Sequence, residues 1–209
     1  MKLNIQCLAL GEYGANCYIV TDEATKSALV IDPGVPSDEL NEALLGYDLK
    51  FILLTHGHFD HIFGCKSLKE IYPDALICIH SGDAICLSDN KMNLAGDFEE
   101  TPEVTADRFL ENGDVIGFAD TEFTVLSTPG HSPGSVCYTD DKNKIIFSGD
   151  TLFCLTVGRT DFIGGSFDEM MSSVKKLSEF DDDYAVYPGH NRATTIGFER
   201  KRNRYMRKL

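Results

Sequence analysis

Five of the six histidines in this chain stand just beyond the end of an apolar, strand-length run. Phe51-Ile52-Leu53-Leu54 leads into Thr55-His56-Gly57-His58-Phe59-Asp60-His61. The run that begins at Phe123 passes through Thr128-Pro129-Gly130 into His131, Ile145-Ile146-Phe147 passes through Ser148-Gly149 into Asp150, and Ala185-Val186-Tyr187 passes through Pro188-Gly189 into His190. In α/β sheets, ligands gather at the carboxyl ends of the strands, so residues this far apart in sequence are expected to converge on one rim. The chain is thereby constrained to a fold in which several strands end at a common edge.

The rest of the sequence fits a layered α/β domain, because β-type apolar runs alternate with helix-like stretches and Gly/Pro punctuation. Strands are expected over 3–10, 17–21, 28–31, 51–54, 76–79, 122–127, 135–139, 144–148 and 184–187. Helices are expected over 37–45, 61–71, 82–87 and 167–180, the last capped by Ser166 or Asp168. The stretch 88–111 is polar and weakly periodic and reads as a long loop bordering the site. There is no long linker, internal repeat or low-complexity block, and 209 residues with 43% hydrophobic content suffice for one core. One domain over 1–209 is the expectation.

Charge and cysteine usage exclude some classes of partner. A formal charge of −14 argues against a nucleic-acid backbone, which basic surfaces recognise. No apolar run reaches the roughly 18–20 residues of a membrane helix, and the opening MKLNIQCLALGEYG lacks the features of a signal peptide. Seven cysteines, odd in number, mostly inside apolar runs and without a Cys-x-x-Cys pair, point to reduced core thiols. A cytoplasmic protein is expected. The basic ending 199–209 reads as a solvated helix or frayed end, with docking of an anion as the alternative.

The first histidine cluster has the spacing of a metal site on an extended turn. On a helix His56 and His58 would point about 200° apart and could not share an ion, whereas an extended turn lets them do so. Asp60 and His61 lie further round the turn, where their side chains diverge and can serve a second ion. Imidazole suits zinc or iron, and an added carboxylate suits a hydrolytic metal that keeps a position open for water. Asp150 is placed to bridge two ions.

THGHFDH, TPGHS, SGDTLF and YPGH resemble the successive metal motifs of the metallo-β-lactamase superfamily. The resemblance spans nearly the whole chain. It implies an αββα sandwich, two mixed β-sheets flanked by helices, with His56, His58 and His131 on one ion, Asp60, His61 and His190 on the other, and Asp150 bridging. GRTDFIGGS at 158–166 and the ending YPGHNRATTIGFER are similar to small relatives of hydroxyacylglutathione hydrolase, or glyoxalase II. That implies hydrolysis of a small-molecule thioester by a metal-bridging hydroxide, with Asp60 and Asp150 as the catalytic carboxylates and two divalent ions, zinc foremost and iron or manganese as alternatives. A metal-bound water with its pKa lowered to about 7 would supply hydroxide, and a thiolate with a pKa of roughly 8.5 needs little help to leave. Only 19 residues follow His190, so the helical C-terminal domain that holds glutathione in full-length members is not expected here.

Four further residues carry two readings each. Arg159 either binds a substrate carboxylate or pairs with Asp161. Asp32 either orients a metal ligand or forms the turn at Asp32-Pro33-Gly34. His80 reads as structural, and Cys154 as packing near the site. Persulfide dioxygenases share the His-x-His-x-Asp-His motif, and in that alternative His56, His131 and Asp150 would hold one iron.

Overall fold

The computed structural model describes residues 3–96 and 104–209. Its elements fall into two compact units, Met1–Leu110 and Glu111–Leu209.

The first unit runs β1 (Asn4–Leu10), β2 (Ala15–Asp22), β3 (Ser27–Ile31), α1 (Asp38–Ala43), β4 (Asp48–Leu53), α2 (Phe59–Ile62), α3 (Cys65–Ile71), β5 (Leu76–His80), a 3-10 turn over Ser81–Leu87, and β6 (Arg108–Leu110). These strands form one six-stranded mixed sheet in sequence order. β1 to β3 are antiparallel neighbours, and β3 to β6 run parallel. Parallel pairing requires crossovers, which the helices supply. Their apolar faces meet the sheet: Leu40, Leu44, Ile62, Cys65 and Leu68 pack with Ile19, Val30, Ile52, Leu54, Ile77 and Ile79 in one core. Burying each large aliphatic side chain contributes about 1.5–3 kcal/mol. The parallel arrangement brings the carboxyl ends of β3 and β4 side by side, and the residues that follow are Asp32 and the Thr55–His61 cluster.

The second unit runs β7 (Val115–Phe118), β8 (Thr121–Ser127), β9 (Val136–Asp140), β10 (Ile145–Gly149), the short hairpin β11 (Leu152–Phe153) and β12 (Thr156–Val157), α4 (Phe167–Leu177), β13 (Ala185–Pro188), β14 (Thr194–Thr195), α5 (Ile196–Arg202) and a closing 3-10 turn over Met206–Lys208. Its mixed sheet has the order β14-β13-β10-β9-β8-β7, with β10 and β13 parallel. α4 begins where Ser166 accepts the Glu169 N–H, carries acids in its first turn and lysines in its last, and buries Met170, Val174 and Leu177. Those side chains join Cys137, Ile146, Val186, Ile196 and Met206 in the second unit's own core.

All nine expected strands form, with ends shifted by up to three residues. The expected helix 61–71 is instead broken into α2 and α3. Gly64 between them lies so close to the preceding loop that a Cβ would meet the Pro33 carbonyl oxygen at 2.4 Å, and its N–H donates to that oxygen at 2.7 Å. The stretch 88–111 is not all loop, since β6 adds to the sheet beside β5; residues 97–103 lie outside the described part. The basic ending is helical in α5, where Arg200 donates to the carbonyls of Ser178 and Phe180 just beyond α4. Among the described residues no helix is long and apolar enough to cross a membrane. All seven cysteines are thiols, five of them buried, and burial pushes the Cys86 thiol up to about 12.

Candidate metal centre

Each unit presents one set of imidazole and carboxylate donors at the carboxyl ends of its strands. In the first unit the set begins with Asp32, directly after β3. Its backbone is left-handed, at φ 53°, a conformation that costs a non-glycine residue roughly 1 kcal/mol or more. The buried carboxylate repays that strain with three contacts: it accepts the Thr55 N–H at 2.7 Å and the Thr55 hydroxyl at 2.6 Å, and it pairs with His61 Nδ1 at 3.0 Å.

That network fixes two imidazoles at once. A carboxylate can only accept, so His61 Nδ1 carries the proton, and Nε2 is the atom the ring presents as a ligand. The Thr55 hydroxyl donates to Asp32 and therefore accepts from His56 Nδ1, 3.1 Å away, which gives His56 the same tautomer. Asp32, His56 and His61 offer ligand atoms within 4.8 Å of one another. Because both Asp32 oxygens are engaged by donors, Asp32 serves as the anchor of the two rings. Of its two sequence readings, the orienting one matches this geometry.

His56 and His58 stand edge to face with ring centroids 4.7 Å apart, as an extended turn permits. Asp60 and His61 lie in the first turn of α2, their Oδ2 and Nε2 atoms 3.7 Å apart. The His61 ring is only 4.2 Å from His56, so the second pair diverges from the first less than the sequence suggested. Two residues with no sequence signal support the turn. Buried Asp83 accepts the Gly57 N–H at 2.9 Å, and the Asn93 carbonyl accepts the Phe59 N–H at 2.9 Å. His80 plays the local part expected of it, accepting the Gly82 N–H through Nδ1.

Gly57 has no room for a side chain. A Cβ there would meet Cys86 Cβ at 2.4 Å and Sγ at 2.8 Å. Gly57→Ala is expected to cost about 1–3 kcal/mol through overpacking, roughly 2–10 °C in Tm, and to lower metal uptake because the turn between His56 and His58 must shift. Thermal unfolding and metal analysis of the variant check this; wild-type values for both would show that the turn does not depend on this contact.

In the second unit Asp150 follows β10, His131 follows the Thr128-Pro129-Gly130 turn after β8, and His190 follows β13. Asp150 Oδ2 is 3.3 Å from His131 Nε2 and 3.7 Å from His190 Nε2. His131 Nδ1 is 2.8 Å from the Arg159 carbonyl oxygen, which fixes its proton and again leaves Nε2 as the ligand atom. The Arg159 main chain is thus the part that touches a candidate ligand. Its guanidinium forks onto Asp161 with two contacts of 2.9 Å and lies over the Phe162 ring. Gly158 brings that loop in: a Cβ there would overlap the Asp150 carbonyl oxygen at 1.8 Å. Cys154 is half-buried and accepts from Arg192 Nε at 3.3 Å.

The donor sets suit divalent ions. Three histidines have Nδ1 held by a hydrogen-bond partner, and in His61 and His131 the other nitrogen lies beside a carboxylate, as metal-ligating imidazoles are arranged.

A family model described as the metallo-beta-lactamase superfamily matches residues 10–190. The chain is 32% identical over 220 residues to the hydroxyacylglutathione hydrolase GloC of Haemophilus influenzae, covering 98% of each protein. Among solved structures it resembles BLEG-1, described as a B3 metallo-beta-lactamase, with a TM-score of 0.90 and 32% identity over 97% of this chain and 99% of that one. It also resembles TTHA1623 in a di-iron-bound form, with a TM-score of 0.84 and 32% identity over 96% of this chain and 99% of that one.

Proposed function

This chain belongs to the metallo-β-lactamase superfamily, with its two mixed sheets flanked by helices, and from that premise we propose that it is a two-metal hydrolase of thioesters. In this reading the two units form a single domain and their donor sets hold one pair of ions. His56, His58 and His131 hold the first, Asp60, His61 and His190 the second, and Asp150 bridges.

The observation that carries the reading is the position of Asp150 Oδ2, at 3.3 Å from one imidazole nitrogen and 3.7 Å from another. Both separations exceed the roughly 2.7–2.9 Å of a charge-assisted hydrogen bond. At such separations the oxygen and each nitrogen would be near enough to ligate a common ion. One carboxylate oxygen beside two histidines that the motifs assign to different ions is what a bridging ligand requires. Zinc is the proposed metal, with iron or manganese as alternatives.

When bound, the ions supply hydroxide at neutral pH and stabilise negative charge on the reacting carbonyl oxygen. The protein residues fix the tautomers of His56, His61 and His131 and leave Nε2 of each as the ligand atom. Every titratable group in the donor sets would be taken up by an ion or by orienting one, so neither set offers a general acid. A thiolate leaves without one, at a pKa of roughly 8.5, whereas an amine needs a proton. The Haemophilus relative, named a hydroxyacylglutathione hydrolase, supports the same substrate class. A small-molecule thioester in a reducing cytoplasm, with no nucleic-acid partner, completes the proposal.

The test is release of free thiol from a panel of thioesters including S-lactoylglutathione, with protein loaded with two equivalents of zinc or iron and a β-lactam as control. Release that needs the metal and exceeds lactam opening is expected. No release from any thioester would overturn the reading, and oxygen uptake with a persulfide by the iron form would move the assignment to a dioxygenase.

A further inference from the structure

We infer that a cleft beside His190 in the second unit is a subsite for a carboxylate on the thiol half of the substrate, and that Arg192 is the residue that reads it; the inference rests on the thioesterase reading. The cleft has a volume of about 420 Å3 and is lined by Cys154, Arg192, Ala193, Thr194, Thr195 and Phe198. That is within the roughly 300–1,000 Å3 of small-molecule sites.

The cleft adjoins a proposed ligand on two sides. Phe153, at the tip of the β11–β12 hairpin, stands edge-on to the His190 ring with centroids 6.0 Å apart, and Cys154 is its neighbour in the chain. Asn191 turns the chain at φ 67°, so that Arg192, two residues past His190, reaches back to the hairpin and donates from Nε to Cys154 Sγ at 3.3 Å. A molecule attached to a carbonyl reacting next to His190 would therefore extend past Phe153 into this cleft.

Arg192 differs from Arg159 and Arg200, the guanidiniums of the unit that are closed on acids. Arg159 closes its fork on Asp161, and Arg200 is engaged by Asp182 and two carbonyls. Arg192 spends only Nε on a thiol, and among the described residues it forms no salt bridge. Its exposed Nη pair is the geometry that binds a carboxylate in two parallel hydrogen bonds. Glu199 is the acid that acts on it electrostatically. That carboxylate is fully buried and already accepts from Leu155 N–H at 2.8 Å, the Thr194 hydroxyl at 2.7 Å and Asn203 Nδ2 at 2.9 Å. The same three bonds tie the hairpin tip to β14 and α5, so the cleft is preformed. Phe198 lends it an apolar wall. In a chain of net charge −14, this open fork offers an anionic thiol carrier a local counter-charge.

The experiment compares two esters of the same acyl group, S-lactoylglutathione and the uncharged S-lactoyl-N-acetylcysteamine, in wild type, Arg192→Met and Arg192→Lys. The expected result for Arg192→Met is a fall of about tenfold in the preference for the glutathione ester, expressed in KM and not in kcat, with partial recovery in Arg192→Lys. An unaltered preference would overturn the subsite while leaving the hydrolase reading standing. If wild type cleaved neither ester, the hydrolase reading would fall and the subsite would be judged by binding alone. S-methylglutathione should slow iodoacetamide labelling of Cys154 at least fivefold in wild type and not in Arg192→Met; equal slowing in both, or none, would overturn it.

Discussion

Asp150→Ala is expected to lower bound metal from two equivalents to one or fewer and to reduce thioester turnover by at least about 10³-fold. The magnitude follows from what the side chain does in the proposed centre. One oxygen lies beside both His131 Nε2 and His190 Nε2, so its loss removes a ligand from each ion at once. When bound, the ions would supply both the nucleophile and the charge stabilisation, and preorganised electrostatic contacts of this kind are worth about 10²–10³ in rate. The fold should survive, because the Asp150 side chain belongs to neither apolar core. Metal content by elemental analysis and thiol release measure the two losses, and metal-free wild type gives the reference for stability. His58→Ala should also lose metal, though it removes a donor from one ion only. Two ions and turnover within tenfold of wild type in Asp150→Ala would show that the carboxylate does not bridge.

How much of this was legible in the sequence follows from which interactions are local. The strand-end motifs encode their own positions, since an apolar run, a short turn and a polar donor follow one another without a long-range partner. The residues that orient those donors do not. Asp83 supports Gly57 from 26 residues away, and Asn93 holds Phe59 from inside a stretch that reads as loop. Glu199 hid in the charged ending, where nothing local separates it from the exposed charges around it. Short pieces such as β6, β11, β12 and β14 span two or three residues each, too few for a period of two to show. The broken helix at Gly64 was missed for a similar reason: the Pro33 carbonyl that demands a glycine lies 31 positions earlier.

Asp32→Asn provides the sharpest test of how the first donor set is organised, because it replaces one oxygen by an NH2 group and reverses a chain of proton positions. One Asp32 oxygen accepts the Thr55 N–H, so an asparagine must keep its carbonyl there, and its NH2 then replaces the oxygen that faces the Thr55 hydroxyl and His61 Nδ1. An amide N–H directed at His61 Nδ1 makes that nitrogen an acceptor and moves the ring proton to Nε2, the atom that should hold the ion. The Thr55 hydroxyl, no longer donating to a carboxylate, can turn toward His56 Nδ1 and impose the same change there. Orienting partners of metal histidines typically contribute 10–100-fold in affinity, and here one residue serves two rings. Asp32→Asn is therefore expected to weaken metal binding by about 100-fold or more. Stability should fall by only about 1–3 kcal/mol, since each hydrogen bond can be remade with its direction reversed. Competitive metal titration and thermal unfolding of the metal-free protein separate the two effects. Wild-type affinity in the variant would mean that the tautomers of His56 and His61 are set elsewhere, and a collapse of the fold would mean that Asp32 acts first on stability.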